Sequence, residues 1–232
     1  MTHTKRLAHI AGWLYLAVGV FGGFAQGYFQ PLLYAPGDAA TTAANVARHI
    51  DLMPWGVVAD LTQATCFVFL ALILHTILKP TGEGRARAMV VLVVIASAIM
   101  TLNNVFEFGA YRVATDSQYA AALGPAGQRS LIYLLLDLQH YGVLIAQIFF
   151  GLWLVPLGLL AWESRLFPRW LGGLLLLGGI CYLINLLTLF LDPDFGAAIK
   201  NWIVIPCAIS EIAMVFYLLI VGVRCEAKQG TG

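Results

Sequence analysis

Charge is what this sequence has least of. Of 232 residues only 11% are charged, while 60% are hydrophobic and the mean hydropathy is +0.83. A soluble domain carries about 25% charged and about 45–50% apolar residues, so this chain cannot clothe a water-facing surface. It reads as an integral membrane protein whose surroundings are a lipid bilayer. An excess of either sign is missing too. The net charge of +1 gives no basic field for nucleic acid, and no nucleic-acid partner is expected. Cys66, Cys181, Cys207 and Cys225 stand singly, with no CxxC spacing for zinc or an iron–sulfur cluster. Three of them lie in apolar runs and read as small packing residues. There is no G-x-S-x-G, no H-E-x-x-H and no P-loop, so the motifs leave open whether the protein is an enzyme.

What is present is a set of long apolar runs. Six reach the roughly 20 residues that cross a hydrocarbon core. They fall near residues 7–29, 54–78, 86–111, 134–162, 170–191 and 202–223. The expected architecture is all-α: one six-helix transmembrane domain over 1–232. Pro156 is a candidate kink in the fourth span. The start, MTHTKRLAHIAGWLYLAVGVFGGFAQG, has the basic lead of a signal peptide. Its apolar run is too long and lacks an A-x-A site, so it reads as the first span.

Lys and Arg set the orientation. Lys5, Arg6, Lys79, Arg85, Arg87, Arg165, Arg169, Arg224 and Lys228 fall at one set of ends, against Arg48, Arg112, Arg129 and Lys200 at the other. Nine against four predicts both termini in the cytoplasm. The larger loops are then external. PGDAATTAANVARHID is expected to hold a short interfacial helix capped by Asp38, and ATDSQYAAALGPAGQRS is read as a second long external segment. Gly19 and Gly23 form a GxxxG pair, and Gly172–Gly173 with Gly178–Gly179 supply small residues to the fifth span. Both suggest close helix packing.

Polar groups inside the spans carry the functional information, since an ionisable side chain there costs about 2.5–3.5 kcal/mol on insertion scales. Span 2 has Asp60 and Gln63. Span 3 has Asn103, Asn104 and Glu107, with Tyr111 one turn further. Span 4 has Asp137, His140 and Gln147, span 5 Asn185, and span 6 Glu211. At 1.5 Å per residue Glu211 falls near the midplane, and Gln147 and Asn185 within roughly 3–6 Å of it. Asp60, Asn103, Asn104, Glu107 and His140 fall roughly 7–14 Å outward. The inner halves of the same helices are nearly pure hydrocarbon. Asp137 and His140, three apart, share a face.

The expectation is an outward-facing polar pocket narrowing toward Glu211. Asp60, Glu107, Asp137, His140 and Glu211 are the candidate proton- or cation-handling groups, with His140 as proton carrier oriented by Asp137. Gln63, Asn103, Asn104, Tyr111, Gln147 and Asn185 are candidate ligand-binding groups for a small or lipophilic molecule. The plain alternative is that the amides only tie helices together. An ion-coupled transporter working through Glu211 and a non-catalytic accessory subunit are further alternatives. One acid–histidine pair without a second Glu-x-x-His falls short of a bundle di-metal site, so no metal is expected. His9 and His75 sit at similar inner depth and would be the haem ligands if one were bound, but interfacial histidines more simply face headgroups. The sequence specifies no cofactor.

RLAHIAGWLYL, PGDAATTAANV, VAD, LDLQHYGVLIAQIFFGLWLVPLGLL and FPRWLGGLLLLGGICYLIN together resemble a bacterial membrane-protein family known as domain of unknown function four-three-eight-six. The resemblance covers nearly the whole chain. It implies six helices and a bacterial cell membrane, and it brings no activity and no site residues.

Overall fold

The computed structural model describes residues 3–224, apart from the side chains of 193, 197, 200 and 201. Cys225 and Lys228 lie outside the described residues, as does the side chain of Lys200. The described chain is helical nearly throughout and has no strand. The helices are α1 His3–Gly22, α2 Gln30–Leu33, α3 Ala39–Arg48, α4 Met53–Leu78, α5 Glu83–Thr115, α6 Ser117–Glu163, α7 Arg169–Leu191 and α8 Pro193–Ile220. A seven-residue π-helix, Gly23–Phe29, joins α1 to α2 without a break. Six stretches are long and apolar enough to cross a membrane: His3–Leu33, Ile50–Leu78, Glu83–Thr115, Ser117–Glu163, Arg169–Leu191 and Trp202–Ile220. Helices dominate because hydrocarbon offers no partner to backbone N–H and C=O groups.

The capping prediction for PGDAATTAANVARHID holds. Asp38 accepts from the Thr41 amide at 2.9 Å and from the Thr41 hydroxyl at 2.6 Å, at the N-terminus of α3. The segment ATDSQYAAALGPAGQRS is a correction. Tyr119–Leu123, read as loop, is helical, because the run Tyr-Ala-Ala-Ala-Leu favours helix. The chain is interrupted only at Gly124, whose φ of +64° suits glycine, and Pro125 follows at the start of the resumed helix. Around Pro156 the backbone dihedrals stay helical.

The chain divides into two compact units. The first contains residues 1–16, 67–96 and 147–232; the second contains 17–66 and 97–146. The first unit is organised by aromatic packing and a glycine seam. Phe67 meets Trp153 edge-on at 4.9 Å between centroids, Tyr15 meets the same indole at 5.7 Å, and Phe67 stacks on Phe150 at 5.5 Å. Along α6 and α7, Gly151 faces Gly179 and Gly158 faces Gly172, in the reversed order of an antiparallel pair. A Cβ on Gly172 would lie 2.7 Å from the Gly158 carbonyl oxygen, and one on Gly179 2.8 Å from that of Gly151. The two backbones therefore touch, and only glycine permits it. The GxxxG pair behaves differently: a Cβ on Gly19 or Gly23 would meet nothing within 4 Å. The close approaches of the first span run instead through Gly12, against Leu218 and Leu219, and Gly22, against the Gln63 amide. The second unit has its own core of Phe29, Leu33, Val46, Met53, Ala110, Val113, Ile132 and Leu136.

Two predictions follow from this packing. Gly158→Ala and Gly172→Ala are expected to lower stability by about 1–3 kcal/mol through overpacking, while Gly19→Ala stays within about 0.5 kcal/mol; thermal midpoints in detergent micelles check both. Separately, the Thr41 hydroxyl and amide hold the Asp38 carboxyl below the usual carboxylate range. Its contribution to α3 is therefore present above the ordinary carboxylate value and lost as pH falls through the lower folded one. Amide protection in the first turn of α3 is expected to drop only below about pH 4, a step that Asp38→Ala removes.

Candidate functional site

The candidate residues divide between the units. Asp60, Gln63, Asn103, Asn104, Glu107, Tyr111, Asp137 and His140 belong to the second; Gln147, Asn185 and Glu211 belong to the first.

In the second unit one edge of the first span meets three polar partners in succession. Gln26, Gln30 and Tyr34 are spaced four apart, so they rise along one side. The Gln26 amide donates to both oxygens of Asp60, at 3.0 and 2.9 Å. The Gln30 amide donates to the Gln139 side-chain oxygen at 2.6 Å. The Tyr34 hydroxyl donates to Asp137 through a short hydrogen bond. Gln26 sits within the π-helix, a form that is rare and frequent at functional sites. None of Gln26, Gln30, Tyr34 and Gln139 was among the sequence candidates. The signal was present as Q-x-x-x-Q-x-x-x-Y at the end of an apolar span.

Asp137 and His140 turn toward this edge. The His140 ring lies 5.1 Å from that of Tyr34, and Tyr34 also packs on Tyr133 at 5.8 Å. Burial, reinforced by the bond to Asp137, holds the Tyr34 phenol well above the usual tyrosine range, so it remains a donor. Tyr133 accepts in turn from the Gly37 amide at 2.9 Å. Asn103 plays a fastening part: its amide donates to the Gln139 backbone carbonyl at 2.6 Å, and it fills the space left by Gly142. Tyr111 stacks on Phe108 at 5.7 Å and packs against the apolar core.

Asp60 and Glu107 are each only 3% exposed. A Cβ on Gly56, one turn before Asp60, would lie 2.8 Å from Glu107 Oε1 and against the Phe29 ring, so the glycine makes room for both. Asp60 has its amide partner. Glu107 Oε1 has none among the described residues, and the same holds for Gln63 Oε1 and Asn104 Oδ1. A buried acceptor left unpaired costs about 1–3 kcal/mol, so three of them in one unit mark a place where hydrogen-bond donors are wanted.

Glu211, in the first unit, is held differently. Tyr182 donates to it at 2.9 Å and Tyr15 at 3.3 Å, so each carboxyl oxygen has a phenol. Gln147 Oε1 and Asn185 Oδ1 are buried without a partner among the described residues. His9 Nδ1 lies 3.0 Å from the Leu219 carbonyl. Among the described residues no three His, Cys, Asp or Glu side chains converge as a metal set. A groove of about 720 Å³ in the second unit is lined by Ala40, Ala44, Ala47, Ala114, Gln128 and Arg129 among others, and by none of the sequence candidates.

The tyrosine clamp on Glu211 is testable by matched substitutions. Glu211→Gln keeps an acceptor and is expected to be mild. Glu211→Leu strands two hydroxyls and is expected to cost about 1–3 kcal/mol. Adding Tyr15→Phe and Tyr182→Phe to Glu211→Leu should recover part of that loss. Thermal unfolding of the set in one detergent reads the coupling.

Among curated proteins and among solved structures nothing matches the chain. A family profile does match, over residues 10–222, and its description is Domain of unknown function (DUF4386). With that profile covering nearly all of the six apolar spans, the chain belongs to this family of helical proteins of undescribed function.

Proposed function

We propose that the second unit binds a small ligand bearing a protonated amine or another strong hydrogen-bond donor, through Glu107 and Asp60. The observation that carries this reading is the Glu107 carboxyl: 3% exposed, beside a second buried acid, with one oxygen lacking a partner. Gln63 and Asn104 offer further unpaired acceptors in the same unit. Two acids and two amide oxygens form an acceptor-rich set, which favours a cationic or donor-bearing guest over an anion. Phe29 lies against Gly56 beside Glu107, an apolar neighbour that suits a lipophilic body attached to that head. Tyr34, Asp137 and His140 supply a separate ligand-contacting group on the same unit, in which the Tyr34 hydroxyl donates to Asp137 and its ring packs on that of His140. We take a bacterial cell membrane as the setting, on the family resemblance, and the excess of Lys and Arg at one set of span ends favours both termini in the cytoplasm.

Octylamine, octanol and octanoate, added to the purified protein in nonionic micelles, separate the head-group requirement from the tail. Octylamine is expected to raise the thermal midpoint most. Glu107→Gln and Asp60→Asn are each expected to weaken its apparent affinity at least tenfold, about 1.4 kcal/mol. Equal effects of the amine and the alcohol, or an unchanged response in both variants, would sink the reading. Proton flux into proteoliposomes that disappears in Glu107→Gln would make the same acids part of a transporter.

A further inference from the structure

At the far end of α6 the first unit builds a second, unrelated site. A cavity of about 650 Å³ is lined by Trp162, Glu163, Arg165, Phe167, Arg169 and Arg224. Its one acid is already neutralised, since Arg85 grips both Glu163 oxygens at 2.7 and 2.6 Å. Among the described residues Arg165, Arg169 and Arg224 have no ion pair and no side-chain hydrogen bond. Three guanidinium groups around one cavity repel one another unless an anion sits between them, and the planar fork of arginine suits a phosphate.

The loop between α6 and α7, which carries Arg165, is fixed rather than slack, and Arg224, beyond α8, is tied to it. The Arg224 amide donates to the Leu166 carbonyl at 3.0 Å, and the Ser164 hydroxyl lies 3.3 Å from the Leu166 amide and 3.4 Å from the Ala161 carbonyl. Arg165 is held at φ +56°, the one non-glycine residue with positive φ among the described residues. A long charged side chain is a poor choice for that conformation on steric grounds alone. The chain nevertheless spends it on a guanidinium at the cavity. The adjoining α7 starts at Arg169 with no side-chain cap, so its first amides add positive potential on the same side. Trp162 and Trp170 are 45% and 60% exposed beside it, which is where indoles settle at the headgroup level of a bilayer.

We propose that this cavity is a binding site for the phosphate group of an anionic ligand, with the headgroup of an anionic phospholipid such as phosphatidylglycerol as the form that the flanking tryptophans favour. The charge distribution puts this end at the cytoplasmic face, where anionic lipids gather basic pockets between helices. The site is independent of the acids of the second unit.

Native mass spectrometry of the delipidated full chain in nonionic detergent tests it, with phosphatidylglycerol, phosphatidylethanolamine and soluble glycerol phosphate as the added probes. The wild type is expected to retain phosphatidylglycerol adducts at least tenfold more than phosphatidylethanolamine. Arg165→Gly removes a charge while relieving the left-handed backbone, so it is expected to fold at least as well; joined to Arg169→Gln it is expected to cut those adducts at least tenfold. Arg87→Ala, on a salt bridge with Glu83 away from the cavity, is the charge-matched control for Arg165→Gly alone and is expected to change nothing. Arginine-dependent binding of glycerol phosphate as tight as that of the lipid keeps the phosphate site and makes its source soluble. Adducts equal in the double variant and the wild type overturn the proposal.

Discussion

Hydrocarbon accepts no hydrogen bond, and that single constraint orders this molecule. It makes the backbone helical, and it obliges every polar side chain within a span to find a partner on a neighbouring helix or remain a costly exception. The successes are conspicuous. Gln26 takes Asp60, Gln30 takes Gln139, Tyr34 takes Asp137, and two phenols take Glu211. These bonds do more than satisfy groups. They set which side of the first span meets α4 and which meets α6 in the second unit. The exceptions then acquire meaning, because in such a solvent an unpaired Glu107 oxygen cannot be met by water from the lipid side.

The same constraint explains what the sequence made legible. Hydropathy finds the spans because lipid admits nothing else, and Asp38 announces α3 because a capping carboxyl works locally. The polar candidates were recognisable one by one, since acids and amides in oily runs stand out. Their pairing was not. Asp137 and His140 share a helix face, yet the partner that organises them is Tyr34, a residue whose aromatic ring hides it among interfacial tyrosines. Gln26 escaped for a related reason: it lies in a stretch whose π-turn changes the period on which face assignments rest. Glu211 read as the floor of a pocket because depth alone was visible; its two phenols, from α1 and α7, are tertiary facts.

Glycine shows the limit of motif reading. The GxxxG pair at Gly19 and Gly23 has the familiar spacing and meets open space, whereas Gly151, Gly158, Gly172 and Gly179 have no such spacing within either helix and bring two backbones into contact. What matters is the sum across an antiparallel pair, each glycine opposite another, seven residues apart on both helices. That geometry depends on which helices are neighbours, and only the fold decides it.

Two clusters of polar groups stand out among the described residues, and they differ in how they bear on function. The unpaired oxygens of the second unit are acceptors held in an apolar setting, where each costs stability and calls for a donor. The three arginines that line the cavity beyond α6 are donors, and one of them, Arg165, sits in an unfavourable backbone conformation. Desolvated acceptors select a guest by its proton or positive charge. Clustered guanidinium groups select by negative charge and by the tetrahedral oxygens that a planar fork can grip. The two sets therefore favour opposite ligand chemistry. On the two proposals made for them, the acid-bearing unit takes a donor-bearing guest and the arginines take an anion.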